Sequence, residues 1–325
     1  MALSCVFVLF ASFEIFVLNP LPHRGNSATL PALMRILVLT NPHSGPQGSN
    51  EQLARAAFRE CAASEIVVHA MPGDRIYDTA KRASSEGFDC VVAAGGDGTV
   101  NCVASALVGT GTALGVLPLG TLNHFAKDLG ISLTLDEAAR LICAGHTRQI
   151  DVAEVNGRFF VNNSSIGIYP HLVKRRDGHI DRLGRGKALA TFLATITALR
   201  RFPTVHVRVK LAGQMWEGAT PFVMVGNNAY LWDLFNFASR SRLDGGELGI
   251  YFSNRTGRFG LLKLVILGWL HRLDQARDFT ATTATELWIE TKKHTLKVAT
   301  DGEIRRLRTP LHYTIHRAAL RVIAP

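Results

Sequence analysis

The sequence lacks the two glycine signatures that most often mark a nucleotide site. It has no Gly-x-x-x-x-Gly-Lys-Ser/Thr segment, and the nearest stretch, residues 184–188, lacks both the hydroxyl residue and the spacing. No Gly-x-Gly-x-x-Gly follows a strand pattern, which excludes a dinucleotide fingerprint. No nucleic-acid-binding motif occurs either. These absences exclude a P-loop enzyme and a Rossmann dehydrogenase, and nucleic acid is not an expected partner.

Cysteine is scarce and irregularly placed. The chain has five cysteines, and none of them forms a Cys-x-x-Cys pair that would indicate a metal or redox motif. They are Cys5, Cys61, Cys90, Cys102 and Cys143. Because most of them lie in apolar runs, we predict reduced core residues and a cytoplasmic protein.

No segment has the pattern of a membrane span. Residues 2–18 are apolar, but Glu14 interrupts the run, which is also short for a span. No positively charged region precedes it and no small-residue cleavage site follows it. Met34 leads directly into a strand pattern, so we interpret residues 1–33 as an extension from a misplaced start codon. A weak membrane anchor is the alternative.

The charge is strongly positive, with 36 Lys and Arg against 26 Asp and Glu, a formal net charge of +10. This balance predicts an anionic partner, such as nucleotide phosphates or an acidic membrane surface. The densest basic stretch precedes an apolar helix predicted at 188–200, and consists of Lys174, Arg175, Arg176, Arg182, Arg185 and Lys187. A solvated face is the plain interpretation, and peripheral docking on anionic lipid is the functional one.

The central stretch of the sequence is 91–101, a valine-rich strand pattern that ends in Gly95-Gly96-Asp97-Gly98-Thr99. We predict that Thr99 caps a helix from Val100. Glycines let a backbone approach an anion closely, so strand, glycine turn and helix together indicate a phosphate cradle. Because a carboxylate is a poor phosphate ligand, Asp97 is expected to hold Mg²⁺, water or a hydroxyl. A plain glycine turn is the alternative.

Two further polar loops follow short apolar strand patterns. Residues 114–117 lead into a loop that contains Gly120, Thr121 and Asn123, and residues 36–39 lead into Asn41-Pro42-His43-Ser44-Gly45. Loops of this kind gather at the carboxyl ends of the strands in an open parallel sheet, where ligands bind.

The secondary-structure pattern of the sequence changes near residue 150. Strand and helix patterns alternate over 34–150, which predicts an α/β domain with a parallel sheet. Residues 151–325 show period-two patterns, with an Asn156-Gly157 hairpin signal, and predict an antiparallel β-rich domain. The fold class is therefore α/β with two domains, and the last strand, 318–323, is expected to return to the first domain.

Four motifs occur along the chain in the order 41–45, 95–101, 120–123 and 301–303. They resemble those of the diacylglycerol kinase catalytic-domain family, which includes sphingosine kinases and bacterial soluble lipid kinases. The resemblance covers nearly the whole chain after residue 34. It implies a nucleotide domain, a lipid domain and transfer of the γ-phosphoryl group of ATP to a lipid hydroxyl with Mg²⁺. Diacylglycerol, a sphingoid base and other lipid alcohols remain open as acceptors.

The resemblance also assigns roles to single residues. Asp301 would be the base toward the lipid hydroxyl, since phosphoryl transfer to an alcohol needs a proton acceptor, and Glu303 would support it. Asp97 and Asp151 would hold Mg²⁺, and Asp244 would hold a second, structural metal. The expected nucleotide-binding residues are Asn41, Ser44, Gly45, Gly95, Gly96, Asp97, Gly98, Thr99, Gly120, Thr121 and Asn123.

The sequence departs from the family at His124, where many members have aspartate. This departure keeps a catalytically silent lipid-binding regulatory protein open as an alternative. A kinase of NAD shares the Gly-Gly-Asp-Gly-Thr motif and is a second alternative, and a plain membrane scaffold is a third. A homodimer also remains open.

Overall fold

The computed structural model describes residues 34–42, 50–61, 65–167, 204–211, 214–233, 236–240, 242–253 and 279–325. These residues form two compact units, one of residues 34–148 with Arg321–Pro325, the other of Gln149–Leu320. The N-terminal 33 residues, the basic stretch at 174–187 and the helix predicted at 188–200 lie outside the described residues.

The first unit contains a parallel sheet in the order β2-β1-β3-β4-β18. Its strands are β1 (Arg35–Thr40), β2 (Glu65–Ala70), β3 (Cys90–Gly95), β4 (Ala113–Pro118) and the end of β18 (Leu311–Ile323). Strands β3 and β4 are buried along their whole length. Continuous apolar strands are typical of a parallel sheet that is covered on both faces.

The described residues of the first unit contain five helices, four of which pack in two pairs. They are α1 (Asn50–Ala57), α2 (Gly73–Ala83), α3 (Asp97–Leu107), α4 (His124–Asp128) and α5 (Leu135–Ala144). Helix α2 packs on α3, and α1 packs on α5. Within the described part of the chain, no helix is both long enough and apolar enough to cross a membrane.

The strand order determines where a ligand can enter the first unit. Strands β1 and β3 are neighbours, but the chain leaves β1 toward β2 and leaves β3 toward β4. The crevice at such a switch point, outside the carboxyl ends of the strands, is the general ligand site of open α/β sheets. Asn41 follows β1 and Gly96 follows β3, so two of the predicted polar loops begin there.

The cysteines differ from the sequence-based expectation. Cys61 and Cys143, which are 82 residues apart in sequence, form a disulfide with a Cα–Cα distance of 5.8 Å. The prediction that the cysteines are reduced is therefore wrong for this pair. Sequence patterns could not reveal it, because the two residues meet only when α5 packs beside α1. Cys90 and Cys102 are not in disulfides.

Reduction of this disulfide should destabilise the first unit by about 2–4 kcal/mol, because the cross-link closes a long loop in the unfolded chain. Guanidinium unfolding with and without dithiothreitol measures the difference. A Cys61→Ser, Cys143→Ser variant should match the reduced protein and show no response to dithiothreitol. Equal unfolding midpoints for oxidised and reduced wild-type protein would contradict the expectation.

The second unit is a sandwich of two antiparallel sheets. One contains β5 (Thr147–Val155), β6 (Arg158–Phe160), β8 (Val205–Leu211), β9 (Gln214–Thr220), β15 (Glu286–Glu290) and β18. The other contains β7 (Asn163–Gly167), β10 (Phe222–Asn227), β13 (Leu248–Ser253), β14 (Phe279–Ala284), β16 (Thr295–Thr300) and β17 (Glu303–Arg308). A short pair, β11 (Leu231–Asp233) and β12 (Asn236–Ser239), completes the described elements.

The inward residues of both sheets form one core. Alternating strand residues such as Val207 and Leu287 from the first sheet pack with Val223 and Ile250 from the second. The predicted Asn156-Gly157 hairpin is confirmed, since β5 pairs with β6 across these two residues, which both have positive φ.

Candidate active site

Two glycine loops of the first unit meet backbone to backbone at the ends of β3 and β4. A Cβ atom added to Gly120 would lie 2.4 Å from the Cα of Gly96, far inside van der Waals contact. Any larger residue at position 120 would push the loops apart. This close approach explains why glycine stands in both loops, and it exposes main-chain groups that a side chain would cover.

Asn123 fixes the shape of the second loop. Its Oδ1 accepts the N–H of Gly120 at 3.1 Å, and its Nδ2 donates to the carbonyl oxygen of Gly120 at 2.8 Å. Asn123 has a φ of 49°, in the left-handed region that asparagine tolerates better than most residues. Asn123 therefore fixes the loop by bonding both main-chain groups of Gly120. Thr121, in the same loop, is exposed.

Helix α3 begins at Asp97 with Gly96 as its N-cap, and no side chain caps it. The prediction that Thr99 caps this helix is wrong, because Thr99 lies within the first turn and is buried. Its Oγ1 lies 2.6 Å from where a Cβ of Gly95 would stand, so it packs against the glycine turn instead. Amides at an uncapped helix start favour an anion.

Asp97 joins the two loops. Its Oδ1 accepts the N–H of Phe125 at 3.2 Å, at the start of α4. The structure thus brings Asp97 together with the loop of Gly120 and Asn123. Asn41 follows β1, and its carbonyl oxygen accepts Nδ2 of the buried Asn50 at 3.2 Å. Ser44 and Gly45 lie outside the described residues.

Asp301 of the second unit is held in a cradle of main-chain amides. Its Oδ2 accepts the N–H of Val161 at 2.8 Å, and its Oδ1 accepts those of Asn162 at 2.9 Å and Asn163 at 3.0 Å. Asp301 and Gly302 form the two-residue turn between β16 and β17, both with positive φ, as an Asp-Gly hairpin requires.

The electrostatics of this carboxylate are set by burial. Asp301 lies at a partly exposed turn, but its carboxylate is enclosed, and burial raises its pKa to about 6. The three N–H donors and the Arg240 guanidinium act in the opposite direction. At neutral pH the group is mostly ionised, and a pKa near the working pH suits a proton acceptor.

Comparison with known proteins agrees with this geometry. The diacylglycerol kinase catalytic domain family matches residues 35–155, and the YegS C-terminal NAD kinase beta sandwich-like domain matches residues 173–324. A probable lipid kinase YegS-like from Pseudomonas aeruginosa is 35% identical over 218 residues, which cover 63% of this chain and 68% of that protein. The chain belongs to the diacylglycerol kinase family of lipid kinases.

Two further comparisons cover more of this lipid kinase. The diacylglycerol kinase of Bacillus subtilis (strain 168) is 29% identical over 280 residues, 83% of this chain and 90% of that protein. The crystal structure of a diacylglycerol kinase from Bacillus anthracis str. Sterne has a TM-score of 0.65 at 23% identity, covering 90% and 97% of the two chains. The predicted fold, an α/β domain with a parallel sheet followed by an antiparallel β domain, is thus confirmed.

The predicted metal residues of the kinase have protein partners. Asp151 is only 2% exposed, and its carboxylate accepts the N–H groups of Gly246 at 2.6 Å and Ala318 at 2.9 Å. Asp244 is exposed and pairs with Arg242 at 3.0 Å. Across the described residues, no three His, Cys, Asp or Glu side chains cluster as a metal site. The assignments of Asp97, Asp151 and Asp244 to metal remain predictions.

Glu303 follows the Asp301 turn but does not share its enclosure. Its side chain is exposed and pairs with Arg305 at 3.0 Å. Two carboxylates two residues apart on an extended strand are expected on the same face, yet the tight turn directs only Asp301 inward. The supporting role of Glu303 therefore stays a prediction.

Sequence reasoning missed the residues that surround the Asp301 cradle. Asn227 donates from Nδ2 to the carbonyl oxygens of Asp151 at 3.0 Å and Val161 at 3.1 Å, and Arg240 contacts the same segment. No local motif marks Asn227 or Arg240. The sequence offered only one signal, which is that the apolar residues of β10 give way to polar residues at the end of the strand.

Proposed function

We propose that this kinase transfers the γ-phosphoryl group of ATP to a lipid hydroxyl, with Mg²⁺ and with Asp301 as the general base. Family membership supports a lipid kinase, and the observation that carries the finer proposal is the enclosed, amide-cradled carboxylate of Asp301. Diacylglycerol, a sphingoid base and other lipid alcohols remain the candidate acceptors.

The glycine loops of the first unit fit a nucleotide. The uncapped start of α3 at Gly96 offers main-chain donors to phosphate oxygens, and the Gly96–Gly120 approach keeps side chains away from them. Asp97 uses Oδ1 for Phe125, which leaves Oδ2 to hold a hydrated Mg²⁺. When bound, Mg²⁺ neutralises charge on the phosphate oxygens during transfer.

The cradle leaves Asp301 able to accept a proton. A carboxylate has about four lone-pair directions, and the three amides of Val161, Asn162 and Asn163 use three of them. The remaining direction can accept the proton of an alcohol. The amides fix the orientation of the carboxylate, which is the property that a general base needs.

Phosphorylation of a lipid extract tests the proposal. Purified protein with Mg²⁺ and γ-labelled ATP should yield a labelled lipid whose chromatographic mobility identifies the acceptor class. The label should disappear with Asp301→Asn. Labelled NADP⁺ on addition of NAD⁺, without labelled lipid, would identify an NAD kinase. Vesicle binding without either product would identify a silent lipid-binding protein.

The proposal includes peripheral binding to anionic membranes from the cytoplasm. The net charge of +10 supports attraction to acidic lipid. Sedimentation with phosphatidylserine vesicles should therefore weaken as salt rises. The Cys61–Cys143 bond bears on location, because disulfides are rare in reducing compartments. Thiol titration of protein from fractionated cells would show whether the bond forms there.

His124→Asp should keep the activity at limiting Mg²⁺ or raise it by up to about tenfold, which corresponds to 1.4 kcal/mol of metal binding. His124 opens α4, one residue before Phe125, whose N–H binds Asp97. A carboxylate there would add a hard oxygen ligand beside Asp97. Magnesium titration of the initial rate measures the effect.

The exposed His146, in the same unit, provides a control as His146→Asp, which should leave the magnesium dependence unchanged. Loss of activity in His124→Asp would show that the histidine is an adapted feature of this kinase and would contradict the expectation.

A further inference from the structure

Two of the three peptide groups that form the amide cradle of Asp301 are hydrogen-bonded at both ends. The peptide between Val161 and Asn162 directs its N–H to Asp301 at 2.9 Å and its carbonyl oxygen to Arg240 Nη1 at 2.6 Å. The next peptide directs the N–H of Asn163 to Asp301 at 3.0 Å and the carbonyl oxygen of Asn162 to the Tyr230 hydroxyl at 3.2 Å.

Arg240 holds this segment from the side opposite to Asp301. Its Nη2 donates to Oδ1 of Asn162 at 3.1 Å, and its Nη1 also donates to the carbonyl oxygen of Asn227 at 2.9 Å, which ties the cradle to the end of β10. The guanidinium lies 5.6 Å from the centre of the Tyr230 ring. Arg240 is only 5% exposed. Its planar fork thus connects the segment between β6 and β7 to the end of β10, in a position where solvent does not screen its charge.

We propose that Arg240 is a positioning residue for the phosphoryl transfer, which aligns and polarises the Val161–Asn162 peptide so that its N–H holds Asp301. The proposal rests on the proposed role of Asp301 as the base. A cation on a carbonyl oxygen strengthens the hydrogen bond made by the N–H of the same peptide, because hydrogen bonds in a chain polarise one another. Arg240 therefore acts on Asp301 through the main chain as well as through its charge.

The electrostatics of Asp301 agree with this arrangement. Burial is the largest influence and raises the pKa, the amides of Val161, Asn162 and Asn163 lower it, and Arg240 is the charged group that lowers it further. Loss of Arg240 removes a direct charge effect and weakens the cradle, and both changes favour the protonated carboxyl. A protonated Asp301 cannot accept the proton of an alcohol.

Arg240→Met should raise the titration midpoint of Asp301 by about one pH unit or more. The acidic limb of kcat/KM should move by the same amount, so that the variant loses about tenfold at low pH and recovers at high pH. Arg240→Lys, which keeps the charge but not the fork, should give a smaller shift. The ¹³C carboxyl resonance of Asp301, identified by its absence in Asp301→Asn, reports the titration directly.

Arg208→Met is the matched control, because Arg208 lies on an exposed strand face in ion pairs with Glu217 and Glu290 and should leave the midpoint unchanged. An equal loss of activity at every pH, with an unshifted resonance, would overturn the proposal in favour of a purely structural role. If Arg240→Met does not fold, the titration midpoint of Asp301 and the acidic limb of kcat/KM are measured on Arg240→Lys instead, and they test the proposal in the same way. If wild-type protein phosphorylates no lipid, the proposed function fails, and the resonance still tests the coupling.

Discussion

Asp301→Asn should lower kcat for lipid phosphorylation by about 10²- to 10⁴-fold, the range that a general base contributes. The asparagine keeps the size of the side chain and one acceptor oxygen for the amides of Asn162 and Asn163. It cannot take a proton from the acceptor hydroxyl. ATP binding should be retained, since the glycine loops belong to the other unit. Initial rates and calorimetric ATP titration measure the two quantities.

Glu303→Gln provides a comparison two residues away. Glu303 is exposed and pairs with Arg305, so its loss should cost less activity than the loss of Asp301. Equal activity of Asp301→Asn and wild-type protein would show that another group accepts the proton.

Wild-type protein and Asp301→Asn should also differ in how the free energy of unfolding depends on pH. The pKa of Asp301 is raised from 3.8 to about 6, so the folded protein favours the protonated carboxyl. Relative to Asp301→Asn, the wild-type free energy of unfolding should therefore rise as pH falls from about 6 to about 4, and stay lower above pH 6. The total change is on the order of 2–3 kcal/mol. Urea unfolding at each pH measures it, and a constant difference would contradict the raised pKa.

Gly120→Ala should weaken ATP binding by about 10- to 100-fold, which corresponds to the 1–3 kcal/mol that overpacking costs. The added Cβ would lie 2.4 Å from the Cα of Gly96 and 2.7 Å from Oδ1 of Asn123. Main-chain atoms cannot move aside as a flexible side chain does, so the two loops must separate. Calorimetric titration with ATP and Mg²⁺ measures the loss.

Gly111→Ala is the control for a glycine substitution in the same unit. A Cβ at Gly111 meets nothing within 4 Å, and its φ is not in the left-handed region. This variant should bind ATP as wild-type protein does and unfold at a similar denaturant concentration. A Gly120→Ala protein with unchanged ATP affinity would show that the loop contact is not part of the nucleotide site.

The sequence was most informative where local chemistry decides the structure. A valine-rich run that ends in glycine predicts β3 and a short apolar run predicts β4, because a strand buried on both faces needs continuous apolar residues. The Asn156-Gly157 turn was equally readable, since only a few residues tolerate positive φ at both positions.

Contacts between distant residues could not be read in this way. Arg240 reaches Val161, 79 residues away, and Asp301 reaches Val161, 140 residues away. The start of α3 was misplaced at Val100 because the helix begins at Asp97 with no capping side chain, which leaves no sequence signal. The family resemblance pointed to Asp301 as the expected base, whereas only the fold reveals the amides and the guanidinium that surround it.

The last strand in the sheet of the first unit is synthesised long after its neighbours in that sheet. Val322 pairs with Leu114 and completes the sheet of the first unit, but the ribosome adds it after all of Gln149–Leu320. Until then β4 is an open edge, and an unpaired edge can bind other chains. The edge of β4 in the nascent first unit therefore stays open to incorrect strand pairing while Gln149–Leu320 is synthesised, and it closes only when Val322 can pair with Leu114.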